Sequence, residues 1–248
     1  MNLDHFKNYF MEMLDYDIGE SVEYYCSKAI YYNNLEMLKY LRNQNTPFPW
    51  DENCFTIAVK NENLEMLVYL KTSNPPCPWD ESACKEAIEN GNLEILSWLR
   101  SFNPPCPWDE DCYTIALEQS NFEIMNWLSI QNPPCPTSEY LCNNIIEMCE
   151  DISDSRYAIY FEMLFHFSNI GLLKVNQIAY HQAIEKGNLS LLKWLYSINN
   201  NLGFDEECFN YASKQDSLEI LQWLNEQTFN TNYSGVDICE SFGKFNIL

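Results

Sequence analysis

The chain is short of positive charge: 14 lysines and arginines face 36 aspartates and glutamates, a formal charge of -22. That balance repels phosphodiester backbones and anionic lipid headgroups, so neither nucleic acid nor a membrane is expected as a partner. No stretch reaches the roughly 18 uninterrupted apolar residues that a spanning helix needs. The opening MNLDHFKNYFMEML also lacks a basic region followed by an apolar run, so the expected setting is cytoplasmic. Histidine is scarce, at His5, His166 and His181, and no glycine-rich phosphate loop or nucleophile elbow occurs. Lacking a positioned base or a phosphate cradle, the chain is expected to be no enzyme, to take no small-molecule substrate and to need no cofactor.

Cysteine is plentiful, with eleven copies, but none forms a C-x-x-C pair and none stands at ligand spacing from a histidine along the chain. Reduced thiols acting as small buried hydrophobes are the expectation, with no metal site. The composition, 46% hydrophobic and 15% aromatic, is enough for an extensive core.

What the sequence has is a period. NLEML at 34–38 and 63–67, NLEIL at 92–96 and NFEIM at 121–125 are followed by the weaker copies YFEML at 160–164, NLSLL at 188–192 and SLEIL at 217–221. Their leading apolar residues, Leu35, Leu64, Leu93, Phe122, Phe161, Leu189 and Leu218, are spaced by 29, 29, 29, 39, 28 and 29 residues. Seven units are therefore expected, one carrying an insertion near 146–160.

Each unit reads as two short helices. The first opens at an Asp (Asp51, Asp80, Asp109, Asp205) that can cap free amides, followed by a Glu that complements the positive helix end. Paired apolar positions such as Cys54, Phe55, Ala58 and Val59 form one buried stripe, and Ala29, Ala58, Ala87, Ala116, Ala183 and Ala212 recur six residues before the anchor, where two helices approach closely. A turn such as Asn90-Gly91 ends the first helix. Asn34, Asn63, Asn92, Asn121 and Asn188 are then placed to cap the second, whose stripe is expected to be Leu93, Leu96 and Leu99 with Ile95 and Trp98.

The second helices stop before prolines, all of which fall at 47–49, 75–78, 104–107 and 133–136. PPCPWDE at 75–81 recurs at 104–110, and PPCPTSE follows at 133–139. Its Trp is expected to fill the gap between units and its Cys to be an apolar filler. Cys77, Cys106 and Cys135 would form a ladder with steps of about 10 Å, too far apart for a disulfide, which needs Cα atoms within about 7 Å, or for a shared zinc ion with bonds of about 2.3 Å.

The helix, the glycine turn and the strings GNLEILSWL at 91–99, GNLSLLKWL at 187–195 and QDSLEILQWL at 215–224 resemble the ankyrin repeat. With the PPCPWDE loops, the pattern looks most like short arrays of that family found in large DNA viruses of amoebae and some protists. The resemblance covers roughly residues 20–248 and implies an all-α solenoid of about seven helix-turn-helix repeats. Two departures stand out. The family's Thr-Pro-Leu-His opening is missing, as Asn53-Cys54-Phe55-Thr56 shows. The unit is also about four residues shorter than the usual 33, so a proline-rich turn replaces the projecting hairpin. Residues 1–19, with Phe6, Tyr9, Phe10, Met13 and Leu14, read as an N-terminal capping helix, and 230–248 as a partial last repeat or cap.

The resemblance implies a non-catalytic scaffold that binds a protein through the concave first-helix face. The positions that vary there are Thr56, Ile57 and Lys60; Lys85, Glu86 and Glu89; Thr114, Ile115 and Glu118; His181, Gln182 and Glu185; Asn210, Tyr211 and Lys214. Ile57, Ile115 and Tyr211 are the apolar members and the expected hot spots. One alternative is an adaptor that brings substrates to a ubiquitin ligase, against which stands the lack of an F-box-like segment at either end. A thiol-based metal or redox binder is the other.

Overall fold

The structure, a computed structural model, describes residues 24–148 and 157–230. It divides into two compact units, Met1–Ser138 and Glu139–Leu248. The expected N-terminal capping helix and nearly all of the expected C-terminal cap lie outside the described residues.

The first unit contains α1 (Tyr24–Tyr31), α2 (Leu35–Arg42), α3 (Glu52–Lys60), α4 (Leu64–Thr72), α5 (Glu81–Glu89), α6 (Leu93–Arg100), α7 (Asp111–Glu118) and α8 (Phe122–Ser129). The second contains α9 (Leu141–Met148), α10 (Tyr157–Asn169), α11 (Gln177–Glu185), α12 (Leu189–Ile198), a 3-10 turn at Asn200–Leu202, α13 (Glu206–Lys214) and α14 (Leu218–Asn230). No strand occurs among the described residues, and proline-rich turns join the pairs in the first unit. The fold is an all-helical repeat solenoid.

The second helices begin where the period puts them. The side-chain oxygens of Asn34, Asn63, Asn92, Asn121 and Asn188 accept the amides of Met37, Met66, Ile95, Ile124 and Leu191 at 2.9–3.1 Å. Each such cap contributes about 1 kcal/mol. Among the first helices, Asp51 and Asp205 accept the amides of Cys54 and Cys208, and Asp80 accepts that of Ser82. Asp109 departs from the pattern: α7 starts one turn position later, and the Asp109 carboxylate takes the amide of Asp111 at 3.2 Å. Asn176 caps α11 in the same manner, through Ala179.

The helix-one stripe is the core, with Cys54, Phe55, Ala58 and Val59 on α3 and Ala83, Cys84, Ala87 and Ile88 on α5 all fully buried. On the second helices the expected stripe is shifted. Ile95, Leu96 and Leu99 are buried, whereas Leu93 and Trp98 are half-exposed, and the equivalent Leu64 and Leu218 are exposed by 37% and 67%. The anchor leucine is the first residue of its helix and therefore lies at the rim, where the side chain cannot reach the layer beneath.

In the six pairs whose connecting turn lies among the described residues, that turn takes a left-handed residue. Gly91 and Gly187 meet that need with φ of 70° and 65°, but Asn33, Glu62, Ser120 and Asp216 occupy the same position at φ of 50–54°. A side chain there costs about 1–2 kcal/mol, so glycine is the favoured residue at a site the fold imposes anyway. In the fifth pair, α9 has the length of other first helices, and α10 begins four residues ahead of its anchor Phe161; residues 149–156 lie between them, outside the described residues.

Direct stacking joins the first helices. In the first unit α1 packs on α3, α3 on α5 and α5 on α7; in the second, α9 packs on α11 and α11 on α13. The second helices make their closest packing with the first helix of their own repeat. The six recurring alanines are fully buried, which is what lets the first helices approach.

Candidate functional site

The loops hold the pairs in register. The amides of Cys77, Cys106 and Cys135 donate to the carbonyls of Leu70, Leu99 and Leu128 at 2.9–3.1 Å. Their thiols reach back to the start of the same repeat and donate to the carbonyls of Asp51, Asp80 and Asp109 at 3.2–3.3 Å. The loop cysteine is therefore more than a filler: it closes each repeat on itself. Each loop thiol lies beside a helix-one thiol of its own repeat. The Cys84 thiol faces the Cys106 carbonyl at 4.0 Å, and Cys112 lies beside Cys135. Spacing along the loops could not show this, because the partner comes from the helix 22 or 23 residues earlier. All nine cysteines among the described residues are free and buried. Burial pushes the thiols of Cys26, Cys54 and Cys142 up to about 12 and raises Cys77 as well. Thiols held protonated in this way are poor nucleophiles.

Tryptophan joins one repeat to the next. The Arg42 guanidinium lies 3.8 Å from the Trp50 ring centre, Arg100 lies 3.5 Å from that of Trp108, and Lys71 covers Trp79. The other edge of each indole meets an aromatic of its own repeat: Tyr69 for Trp50, Phe102 for Trp79 and Trp127 for Trp108. Arg42 and Arg100 also donate to the loop carbonyls of Phe48 and Cys106. A cation over a desolvated indole contributes up to about 2 kcal/mol.

The fifteen first-helix positions fall into a regular pattern in each unit. Lys60, Glu89 and Glu118 are exposed, and Thr56, Ile57, Lys85, Glu86, Thr114 and Ile115 are half-buried. In the second unit Glu185, Asn210 and Lys214 are exposed, and His181, Gln182 and Tyr211 are half-buried. Several of these side chains are engaged with the next repeat. Lys60 meets Glu86 at 3.3 Å, and Lys85 meets both Asp109 and Asp111 at 2.7 and 2.8 Å. Burial lowers Lys85, but those two carboxylates more than reverse it and hold the ammonium above its ordinary value. Gln182 places its amide oxygen in the interior, where it has no hydrogen-bond partner among the described residues.

Asparagine or lysine at the end of a first helix ties it to the repeat before. Asn61 donates to the Ile30 carbonyl at 2.6 Å, Asn90 to those of Val59 and Lys60, and in the second unit Lys186 to that of Glu147. No sequence signal separated these from ordinary solvent-facing residues.

In the second unit, His181 occupies the position held by Lys85 in the first, two residues before the recurring alanine. Its Nε2 lies 2.9 and 3.0 Å from the two carboxylate oxygens of Asp205, and its ring lies 5.4 Å from that of Tyr211. Burial raises the Asp205 carboxyl, but hydrogen bonds from His181 and Cys208 outweigh it and hold the group below its ordinary value. The Cys208 thiol is fully buried, and burial together with the nearby Asp205 pushes it up. A ligating nitrogen of His181, an oxygen of Asp205 and the sulfur of Cys208 all lie within 4.8 Å of one another.

No helix among the described residues is long and apolar enough to cross a membrane. Residues 180–224, which run from α11 into α14, match the family described as Ankyrin repeats (many copies). Among curated proteins, none matches the chain.

Proposed function

We propose that the chain, whose residues 180–224 match the ankyrin-repeat family, is a non-catalytic scaffold that holds a protein partner on the first-helix face of its repeats. Ankyrin repeats generally mediate protein–protein interaction and are typically non-catalytic. The observation that carries the choice of face is the stacking asymmetry. First helices pack directly on their successors through buried alanines, while second helices make no comparable stack. The first helices are the face that the ankyrin resemblance implies for binding, and their close stacking presents it as one continuous layer within each unit. The positions that vary in chemistry from repeat to repeat lie on this layer and keep part of their surface in solvent, between alanines and paired apolar residues that are sealed.

Ile57 and Ile115 in the first unit, and Tyr211 in the second, are the apolar anchors of this reading, since half-exposed apolar side chains amid polar ones are the usual hot spots. The test compares the wild-type chain with a triple variant, Ile57→Ser, Ile115→Ser and Tyr211→Ser, as bait in a lysate. Proteins captured by the wild type should be lost or strongly depleted with the variant. Equal capture of the same proteins by both would overturn the face. Matching melting curves must accompany the comparison so that loss of capture is not loss of fold.

A further inference from the structure

We propose that His181, Asp205 and Cys208 form a binding site for a zinc-class divalent transition ion, bridging α11 and α13 across a repeat boundary in the second unit. The donors are an imidazole nitrogen, a carboxylate oxygen and a sulfur, all within 4.8 Å of one another. Nitrogen and sulfur donors favour a borderline transition ion over calcium or magnesium, which take oxygen. With bonds of about 2.0–2.3 Å, a tetrahedral zinc ion needs its donors about 3.3–3.6 Å apart. His181 and Asp205 now stand at 2.9 Å, so binding requires them to part by a few tenths of an ångström and the sulfur to move by at most about 1.3 Å.

The rest of the repeat array shows why this site is particular. In the first unit the same seam is built from Lys85, Asp109 and, one turn into the helix, the buried Cys112. An ammonium there fills the place of a cation. At the second-unit seam the lysine position holds His181, so the one change from lysine to histidine replaces a built-in positive charge with a lone pair. The carboxylate and the thiol are already in place, held by the helix cap: one Asp205 oxygen accepts the Cys208 amide at 3.1 Å. Three acids, Glu185, Glu207 and Asp205, act on Tyr211, whose ring lies against His181, and the Lys214 ammonium lies 5.4 Å from the centre of that ring.

On binding, the proton that Nε2 of His181 now donates to Asp205 passes through solvent to Nδ1, and the ion accepts lone pairs from the freed Nε2, an Asp205 oxygen and the Cys208 sulfur. The thiol S–H bond breaks heterolytically, its proton leaves to solvent, and a water completes the fourth position. No electron changes hands. The ion takes over the hydrogen bond that now joins His181 to Asp205 and locks the first helices of two successive repeats together. This site needs no partner protein and stands or falls independently of the docking face.

The experiment titrates the full-length chain, kept reduced with a non-thiol reductant, with Co2+ as a spectroscopic stand-in for Zn2+. The expected result is a thiolate-to-cobalt charge-transfer band that saturates at one equivalent and is bleached by Zn2+. Cys208→Ser should abolish the band, because it removes the only thiolate at the site, and His181→Lys should weaken its apparent affinity by at least about 100-fold, more than loss of an outer-shell partner costs. His181→Lys is the decisive variant, because it installs the residue that Lys85 shows to be compatible with this seam. Its far-UV circular dichroism should match the wild type. Absence of the band in the wild type overturns the proposal, and so does a band of equal affinity in His181→Lys, which would place the ion at another of the chain's cysteines.

Discussion

If the recurring alanines set the approach of the first helices, enlarging one of them must cost stability on both of its seams. Ala87 is the sharpest case. It is fully buried on α5, with α3 packed on one side and α7 on the other. Ala87→Leu introduces three carbon atoms where no solvent-facing direction exists, so the helices must part or the leucine must adopt a strained rotamer. Overpacking of this kind costs about 1–3 kcal/mol. Helix propensity cannot hide the effect, since leucine is nearly as good a helix former as alanine. For a unit of this size, each kcal/mol moves the melting temperature by about 2–4 °C, so a fall of about 4–8 °C is expected at the middle of the range. Because repeat stability is a sum of unit and interface terms, loss at both seams should also make the unfolding transition broader. Thermal melts followed by circular dichroism measure both. Glu89→Leu, on an exposed position of the same helix, serves as the control and should stay within about 0.5 kcal/mol of the wild type. An Ala87→Leu melt within about 1 °C of the wild type would refute the account of a close helix approach.

Other outcomes follow from the caps and turns. Asn92→Ala removes the acceptor of the Ile95 amide and should lower stability by about 1 kcal/mol in urea denaturation, with Asn92→Ser recovering most of it. Glu62→Gly relieves a left-handed residue worth about 1–2 kcal/mol and gives back about 0.4–1 kcal/mol through a looser unfolded chain, for a net gain of up to about 1.6 kcal/mol. A loss of stability in that variant would contradict the strain argument. Asp205 is depressed below its ordinary value of 3.8, so its charge stabilises the fold above that pH, and the contribution disappears as the pH falls through the lower folded-state value. Asp205→Asn keeps the cap but removes the charge. Its urea midpoint should lie below that of the wild type at neutral pH, and the gap should narrow on acidification below 3.8.

Much of the fold could be read from the chain because its period repeats local chemistry. Asn34, Asn63, Asn92, Asn121 and Asn188 announce helix starts through a contact only three residues long, and short-range contacts can be read from spacing. The harder features depend on which turn of which helix lies beneath. Leu218 has the same sequence context as a core leucine yet is 67% exposed, since the first position of a helix overhangs its edge. The loop thiols are equivalent along the chain, and only the return of the chain brings Cys106 against Cys84 and the Asp80 carbonyl. His181 had no cysteine at ligand spacing along the sequence. Packing of α11 on α13 closes a gap of 27 residues between it and Cys208, a distance that no local motif spans. The docking face was chosen in the sequence by the variability of its positions. Of those positions, Lys60, Lys85 and Glu86 are tied into seams between repeats, which variability alone does not reveal.

The identical loops 75–81 and 104–110 have a consequence for the length of the chain itself. Excising residues 80–108 joins Trp79 to Asp109 and regenerates the string PPCPWDE at the junction. Lys71 still covers Trp79, Cys77 still closes on Asp51, and Cys135 still closes on Asp109. The loop is thus a splice point: the chain can lose or gain a whole 29-residue module there without inventing a new junction, so the number of repeats can change while the chemistry of each connection stays the same.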